Sequence, residues 1–308
     1  MEDLGKSMQQ TMNRRNWNKK FAEMVQQSLQ DPDVQAFLNA HKAEMTPETL
    51  DRSAAKIYEY VLEKNKLAHG EPTFAPGYAP KLVMDQHLID VTYVPTTELQ
   101  EKRAVQTLKN RVQRINMPKD IADASLLSYD PTGRSNALQA ANQFFMAYVN
   151  DPKTFHPGLY LTGPFGVGKT YLLGALANAL AEKGFRTTLL HFPTFAVEMK
   201  NAIKDNNVQA KIDRVKKAPI LMLDDIGAGT VSAWVRDEVL GIILQYRMQE
   251  QLPTFFSSNE TMDELTNFLT ISSQGDNEPL KAKRIMERVR YLSRQVVVQG
   301  PNRRLENS

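Results

Sequence analysis

The residues Gly163-Pro164-Phe165-Gly166-Val167-Gly168-Lys169-Thr170 satisfy the spacing G-x-x-x-x-G-K-[ST] at every defined position. A strand-like run, "GLYLT", enters this segment and a helical pattern, "TYLLGALANALAEKG", leaves it. That context turns a glycine-rich turn into a phosphate cradle. The glycines let successive backbone N–H groups point inward, and the following helix adds partial positive charge at its N-terminus. On this reading Lys169 reaches the β- and γ-phosphates, the Thr170 hydroxyl ligates Mg²⁺, and the nucleotide-binding stretch runs on through Tyr171. The partner of such a cradle is a carboxylate at the end of a buried strand, and "APILMLDDIG" supplies two. A carboxylate there is costly to bury alone but well placed beside a divalent cation. Asp224 is the expected Mg²⁺-side carboxylate and Asp225 the group that polarises an attacking water. Helix capping is the alternative for Asp225. Asn259, at the tip of "PTFFSSNE", is placed to sense the γ-phosphate or the water, where an isolated Asn would be a turn residue. In "KAKRIMERVRYLSRQ", Arg284 and Arg288 share a helix face. Either could bring a guanidinium to a neighbouring subunit's phosphate as an arginine finger, Arg288 being the expected one; salt bridging or phosphate-backbone contact is the alternative.

The elements that must position these residues follow from periodicity. After about residue 115, apolar runs ("GLYLT", "TTLLHF", "PILMLDD", "PTFFSS", "QVVVQG") alternate with amphipathic helices. This predicts an α/β fold with a parallel sheet covered on both faces. Before that point the chain reads as mainly helical. "NWNKKFAEMVQQSLQ" carries Trp17, Phe21, Met24, Val25 and Leu29 at helical spacing. Asp31-Pro32 and Thr46-Pro47 read as N-cap and first-turn pairs. "KLVMDQHLIDVTYVP" alternates as a small hairpin would, and a basic helix is expected over Glu98 to Ile115.

Composition sets the outer bounds. The 308 residues are 42% hydrophobic and 24% charged, ordinary for a two-domain globular chain. The N-terminus has no apolar h-region and no run is long enough to span a bilayer. With no cysteine in the chain, disulfides and thiolate metal sites are excluded, as suits a cytoplasmic protein. Net charge is only +3, but six basic residues and no acidic one lie between Lys102 and Lys119. Between Lys281 and Arg304 there are eight against one. Two such runs fit a polyanionic partner as well as solvated helix faces.

Together, "YLTGPFGVGKTYLLGALAN", "LMLDDIGAGTVSAWVRDEVL" and "RIMERVRYL" resemble the AAA+ ATPases, and within them the bacterial replicative helicase loaders of the DnaI and DnaC type. The resemblance covers roughly residues 120–308. It implies an AAA+ P-loop NTPase domain over 111–308, with the P-loop strand in the middle of a five-stranded parallel sheet and no C-terminal lid. A mainly helical helicase-binding domain with its linker would occupy 1–110. The implied activity is ATP hydrolysis, weak alone, coupled to loading the hexameric replicative DNA helicase onto single-stranded DNA. The implied cofactors are ATP and Mg²⁺. The implied partners are that helicase, single-stranded DNA, other primosome proteins and further copies of the AAA+ domain, with no membrane. Lys200, Ser232 and Trp234 fall where the family contacts single-stranded DNA: a cation, a hydroxyl and a plane for base stacking. Core packing is the alternative for Trp234. The family usually carries an N-terminal zinc site built mainly from cysteines. Here the corresponding "LAHGEPTFAPGYAPKL" has none, and His69 and His87 cannot close a tetrahedral site, so no structural zinc is expected. A transposition helper ATPase of the IstB type shares nearly all of the C-terminal pattern and is the alternative function. A kinase fits the acidic pair, the Asn259 strand and the neighbour's arginine poorly, and a GTPase would want an N-K-x-D motif that the sheet domain lacks.

Overall fold

The computed structural model describes residues 19–229, 231–271, 275 and 277–303. Trp17 and Arg304 lie outside the described residues. Contacts divide the chain into two compact units, Met1–Val105 and Gln106–Ser308.

The first unit holds helices α1 (19–28), α2 (Pro32–Ala40) and α3 (Thr49–Ala68), then strands β1 (Tyr78–Asp85) and β2 (Leu88–Pro95). Asp31 caps α2 through Oδ1, which accepts from the N–H groups of Asp33 and Val34, and Pro32 opens the helix. The expected second cap, at Thr46, is not used. The Thr46 N–H donates to Thr49 Oγ1 at 2.8 Å, closing a turn that delays α3 to Thr49. The Thr49 hydroxyl then donates to the His87 carbonyl at 2.7 Å, so the cap position is set by a long-range contact. β1 and β2 form the expected antiparallel hairpin, with Gln86 and His87 both at positive φ as a two-residue turn of the I′ kind requires. Val34, Ile57, Tyr60, Leu82 and Ile89 make the core of this unit.

Helix α4 (Thr97–Arg111) spans the division between the units. The sequence reading carried this helix to Ile115, but Val112–Ile115 is strand β3, paired in parallel with the start of β5 (Thr187–His191). Four residues are too few to show a period of their own. The unpaired backbone of β5 recruits them into the sheet. The second unit continues with a 3₁₀ turn at Lys119–Asp123, α5 (Ser135–Asn150), β4 (Gly158–Thr162) and α6 (Lys169–Glu182), then β5. After β5 come α7 (Phe192–Ala202), α8 (Val208–Lys216), β6 (Ile220–Asp224), a π-helical turn at Val235–Leu240 and α9 (Gly241–Gln249). β7 (Thr254–Ser258), α10 (Met262–Thr270), α11 (Pro279–Leu292) and β8 (Ser293–Val297) complete it.

The sheet therefore has six strands rather than five, all parallel, in the order β3-β5-β6-β7-β4-β8. The P-loop strand β4 sits between β7 and β8, one place from the edge rather than in the middle. Two buried clusters flank the sheet. One is built on Phe192, Val239, Leu244, Leu265 and Met286, the other on Ala137, Phe144, Leu172, Leu176 and Leu180. β4 and β6 are buried at every position, which explains their unbroken apolar character in sequence. No helix among the described residues is long and apolar enough to cross a membrane.

Candidate functional site

Because β4, β6 and β7 are parallel neighbours, the loops at their C-terminal ends open on one side of the sheet. They enclose a cavity of about 530 Å³ lined by Gly166, Lys169, Thr170, Asp224, Asp225 and Asn259, among others. Gly163 and Gly168 make the cradle possible. A Cβ at Gly163 would collide with the Val298 carbonyl, and Gly168 takes φ +90° as it caps α6.

The Lys169 ammonium donates to the carbonyls of Gly163 and Pro164 at 2.6 and 2.8 Å and to Asn259 Oδ1 at 2.8 Å. Two residues ninety positions apart thus meet at the place where a terminal phosphate would lie. Next to them the Thr170 hydroxyl donates to Asp224 Oδ1 at 2.8 Å, and the Ser257 hydroxyl donates to the same oxygen at 2.6 Å. Asp224 is buried and takes part in no ion pair among the described residues. Burial pushes its carboxyl above the ordinary value, against the pull of the Ser257 and Thr170 hydroxyls. A buried carboxylate held by hydroxyls alone is a donor set of hard oxygens that fits a divalent cation.

Asp225 does not cap a helix. Its backbone is left-handed, at φ +61°, and its N–H donates to Ser257 Oγ at 2.9 Å. Its carboxylate reaches toward His191, with Nε2 3.8 Å from Oδ2. Val167 is buried, Phe165 is largely exposed, and Tyr171 packs its ring on Tyr129 with its hydroxyl accepting from the Ser125 N–H. The P-loop residues, Asp224, Asp225 and Asn259 therefore lie together.

The remaining residues read from the sequence do not join them. Lys200 is exposed on the last turn of α7, which packs against the π-helical turn that follows Trp234. Ser232 Oγ accepts from the Val235 N–H, and Trp234 is half-buried against the core. Arg288 donates from Nη1 to the Gly241 carbonyl at 3.0 Å, with its pKa lowered by burial, while Arg284 is exposed. Neither arginine lines the cavity. His69 and His87 are engaged separately, His69 at Asn65 O and His87 at Glu44 O.

Sequence reasoning missed several contributors. Arg134 is buried behind the P-loop, donating to the Val167 carbonyl at 2.6 Å with its guanidinium 4.7 Å from the Tyr129 ring. Nothing in "YDPTGRS" signals it. Ser257 does carry a signal, as a hydroxyl two residues before Asn259 on a buried strand. Beyond β8 the backbone N–H of Arg303 donates to the Gly166 carbonyl, and Arg303 ion-pairs with Asp130 at the rim of the cavity.

Comparison with known proteins agrees with this geometry. Residues 1–93 match the family described as primosomal protein DnaI N-terminus, and residues 96–308 match the IstB-like ATP binding proteins. The replicative helicase loader DnaI of Bacillus subtilis (strain 168) is 37% identical over 99% of both chains. A crystal structure of DnaI is 45% identical over 64% of this chain and 98% of its own, with a TM-score of 0.55. The chromosomal replication initiator DnaA of Caldanaerobacter subterraneus subsp. tengcongensis is 21% identical over 81% of this chain and 55% of its own.

Proposed function

Because the chain belongs to the DnaI family of bacterial replicative helicase loaders, we propose that ATP at the P-loop sets its grip on single-stranded DNA while residues 1–110 hold the hexameric helicase. The protein is an ATP-binding AAA+ ATPase that loads the replicative helicase in replication. The coupling between its hydrolysis and that loading is the proposed part. Its strongest support is the convergence of Lys169 with Asn259, and of Thr170 with Asp224, in one cavity that Arg284 and Arg288 do not line.

On nucleotide binding, the Lys169 ammonium exchanges three neutral acceptors for phosphate oxygens. The new acceptors carry negative charge where the old ones were neutral, so the exchange is favourable. It also frees the Asn259 amide to face the γ-phosphate or the attacking water. Asp225 polarises that water, its position fixed by the Ser257 hydroxyl on its backbone N–H. Thr170 and Asp224 would hold Mg²⁺, which when bound neutralises phosphate charge. Arg303 at the cavity rim is ion-paired with Asp130, so in this reading the site is completed by Arg288 from a neighbouring copy. Hydrolysis by an isolated subunit is then slow. Lys200, Ser232 and Trp234 take single-stranded DNA.

The decisive experiment mixes the protein with the cognate hexameric helicase, with and without ATP, and weighs the complex. A complex in both conditions, with Lys169→Ala still binding helicase but failing in ATP-dependent loading, supports the reading. Loss of helicase binding in that variant would overturn the domain assignment. The absence of any complex would favour the transposition-helper alternative, which the match of residues 96–308 keeps in view.

A further inference from the structure

The parallel sheet has a second end. Where β3, β5 and β6 begin, opposite the ends that carry the P-loop, a cavity of about 540 Å³ is lined by Arg111, Arg186, Thr187, Thr188, Arg214 and Lys217, among others. Four cations from four places in the chain converge there: the last turn of α4, the entry to β5, the last turn of α8 and the residue after it. No carboxylate is among the described residues that line it. The nearest acid on α8, Asp213, is engaged by Lys216 at 2.6 Å and by Gln209. Arg111 is held in place by donating to the Ala181 carbonyl at 3.0 Å, and Arg214 faces the neutral amide of Gln113.

Two independent observations make this more than a basic surface. Thr187 is among the residues lining the cavity and is 1% exposed, and its buried hydroxyl has no hydrogen-bond partner among the described residues. A buried hydroxyl without a partner is uncommon and costs free energy until a ligand or water meets it. Behind the cavity wall, Arg247 is fully buried and takes part in no ion pair among the described residues. Its guanidinium is held instead by the carbonyls of Lys216, Ala218 and Pro253 and by the Thr254 hydroxyl. Burial pushes its pKa down to about 9, still charged at neutral pH. An uncompensated buried charge behind four surface cations gives a cavity whose field favours an anion.

We propose that this cavity is a second phosphate-ester site, separate from the P-loop, formed by Arg111, Arg186, Arg214 and Lys217 around the Thr187 hydroxyl. No aromatic side chain among the described residues lines it, so they offer no platform for stacking a base. Recognition therefore goes to the phosphate and carries no sequence preference. A phosphodiester of a single strand and a free phosphate ester share that chemistry.

The test uses the full chain in a Lys169→Ala background, so that the P-loop captures no phosphate. The triple variant R186A/R214A/K217A and the single variant Thr187→Val are compared with their parent. The probes are labelled dT20, an abasic 20-mer phosphodiester, and pyrophosphate followed by phosphorus NMR. Thermal melting serves as the fold control. If the site takes nucleic-acid backbone, the triple variant weakens both 20-mers alike, by about 10–100-fold at 100 mM salt. Its salt slope should flatten by about 2, roughly 0.7 for each lost phosphate contact. If the source is a free phosphate ester, only pyrophosphate line broadening is lost. In either case Thr187→Val weakens the same probe several-fold without lowering the melting temperature, because it removes an unpartnered group. A triple variant that matches its parent with all three probes overturns the proposal. In the Lys169-intact protein, loss of this site with ATP-dependent loading preserved would separate it from the reading above.

Discussion

Replacing Ser257 by alanine tests whether one hydroxyl organises the acidic pair. Ser257 is 1% exposed; its Oγ donates to Asp224 Oδ1 at 2.6 Å and accepts from the Asp225 N–H at 2.9 Å. Alanine leaves a carboxylate oxygen and a buried N–H each short of a partner, at a cost of about 1–3 kcal/mol apiece. Thr170 still donates to the same carboxylate oxygen, which keeps that half of the loss at the low end. A total of about 3 kcal/mol follows, and in a domain of this size that lowers Tm by about 6–12 °C. Asp225 sits in a left-handed conformation costing about 1 kcal/mol or more, so without the bond its backbone relaxes and its carboxylate moves off the water it polarises in the proposed mechanism. ATP hydrolysis in the presence of single-stranded DNA should fall about 10–100-fold. Ser293→Ala is the control, because that buried hydroxyl makes one bond, to the Val289 carbonyl, and should cost only about 1 kcal/mol. Calorimetric melts and steady-state ATPase assays read both effects. A Ser257→Ala protein that melts within about 1 °C of wild type and hydrolyses ATP normally would refute the reasoning.

Arg288→Ala should leave ATP affinity unchanged and lower hydrolysis by the assembled protein about 10³-fold or more. Mixing it with Lys169→Ala should restore activity, since each variant supplies what the other lacks; absence of rescue in a subunit-mixing assay would place the finger elsewhere, Arg284 first. In the N-terminal unit, the bonds from Lys66 and from the Phe74 N–H hold the Glu63 carboxyl below its ordinary value of 4.5. A lowered folded-state pKa means stability that is present above that value and lost as pH falls through the folded one. Melts between pH 6 and pH 3 should therefore show a steeper acid loss in wild type than in Glu63→Gln, and parallel profiles would contradict this.

The elements that could be read from sequence are those whose cause is local. The P-loop needs glycines at set spacing before a helix, β4 and β6 need unbroken apolar runs because both faces are covered, and Asp31-Pro32 caps α2 with its own atoms. The features decided by tertiary structure have causes far along the chain. β3 is a strand only because β5 offers it an edge, which adds the sixth strand. The start of α3 shifts to Thr49 because the Thr49 hydroxyl finds the His87 carbonyl thirty-eight residues away. At the proposed site, the sequence named residues that the fold brings together: Lys169, Thr170, Asp224, Asp225 and Asn259. Only the parallel order β6-β7-β4 brings Asn259 to Lys169 and Ser257 between the two aspartates. Residue type and spacing encode which groups are available. The distances between groups on different strands are set by backbone pairing across the sheet, and no local pattern records them.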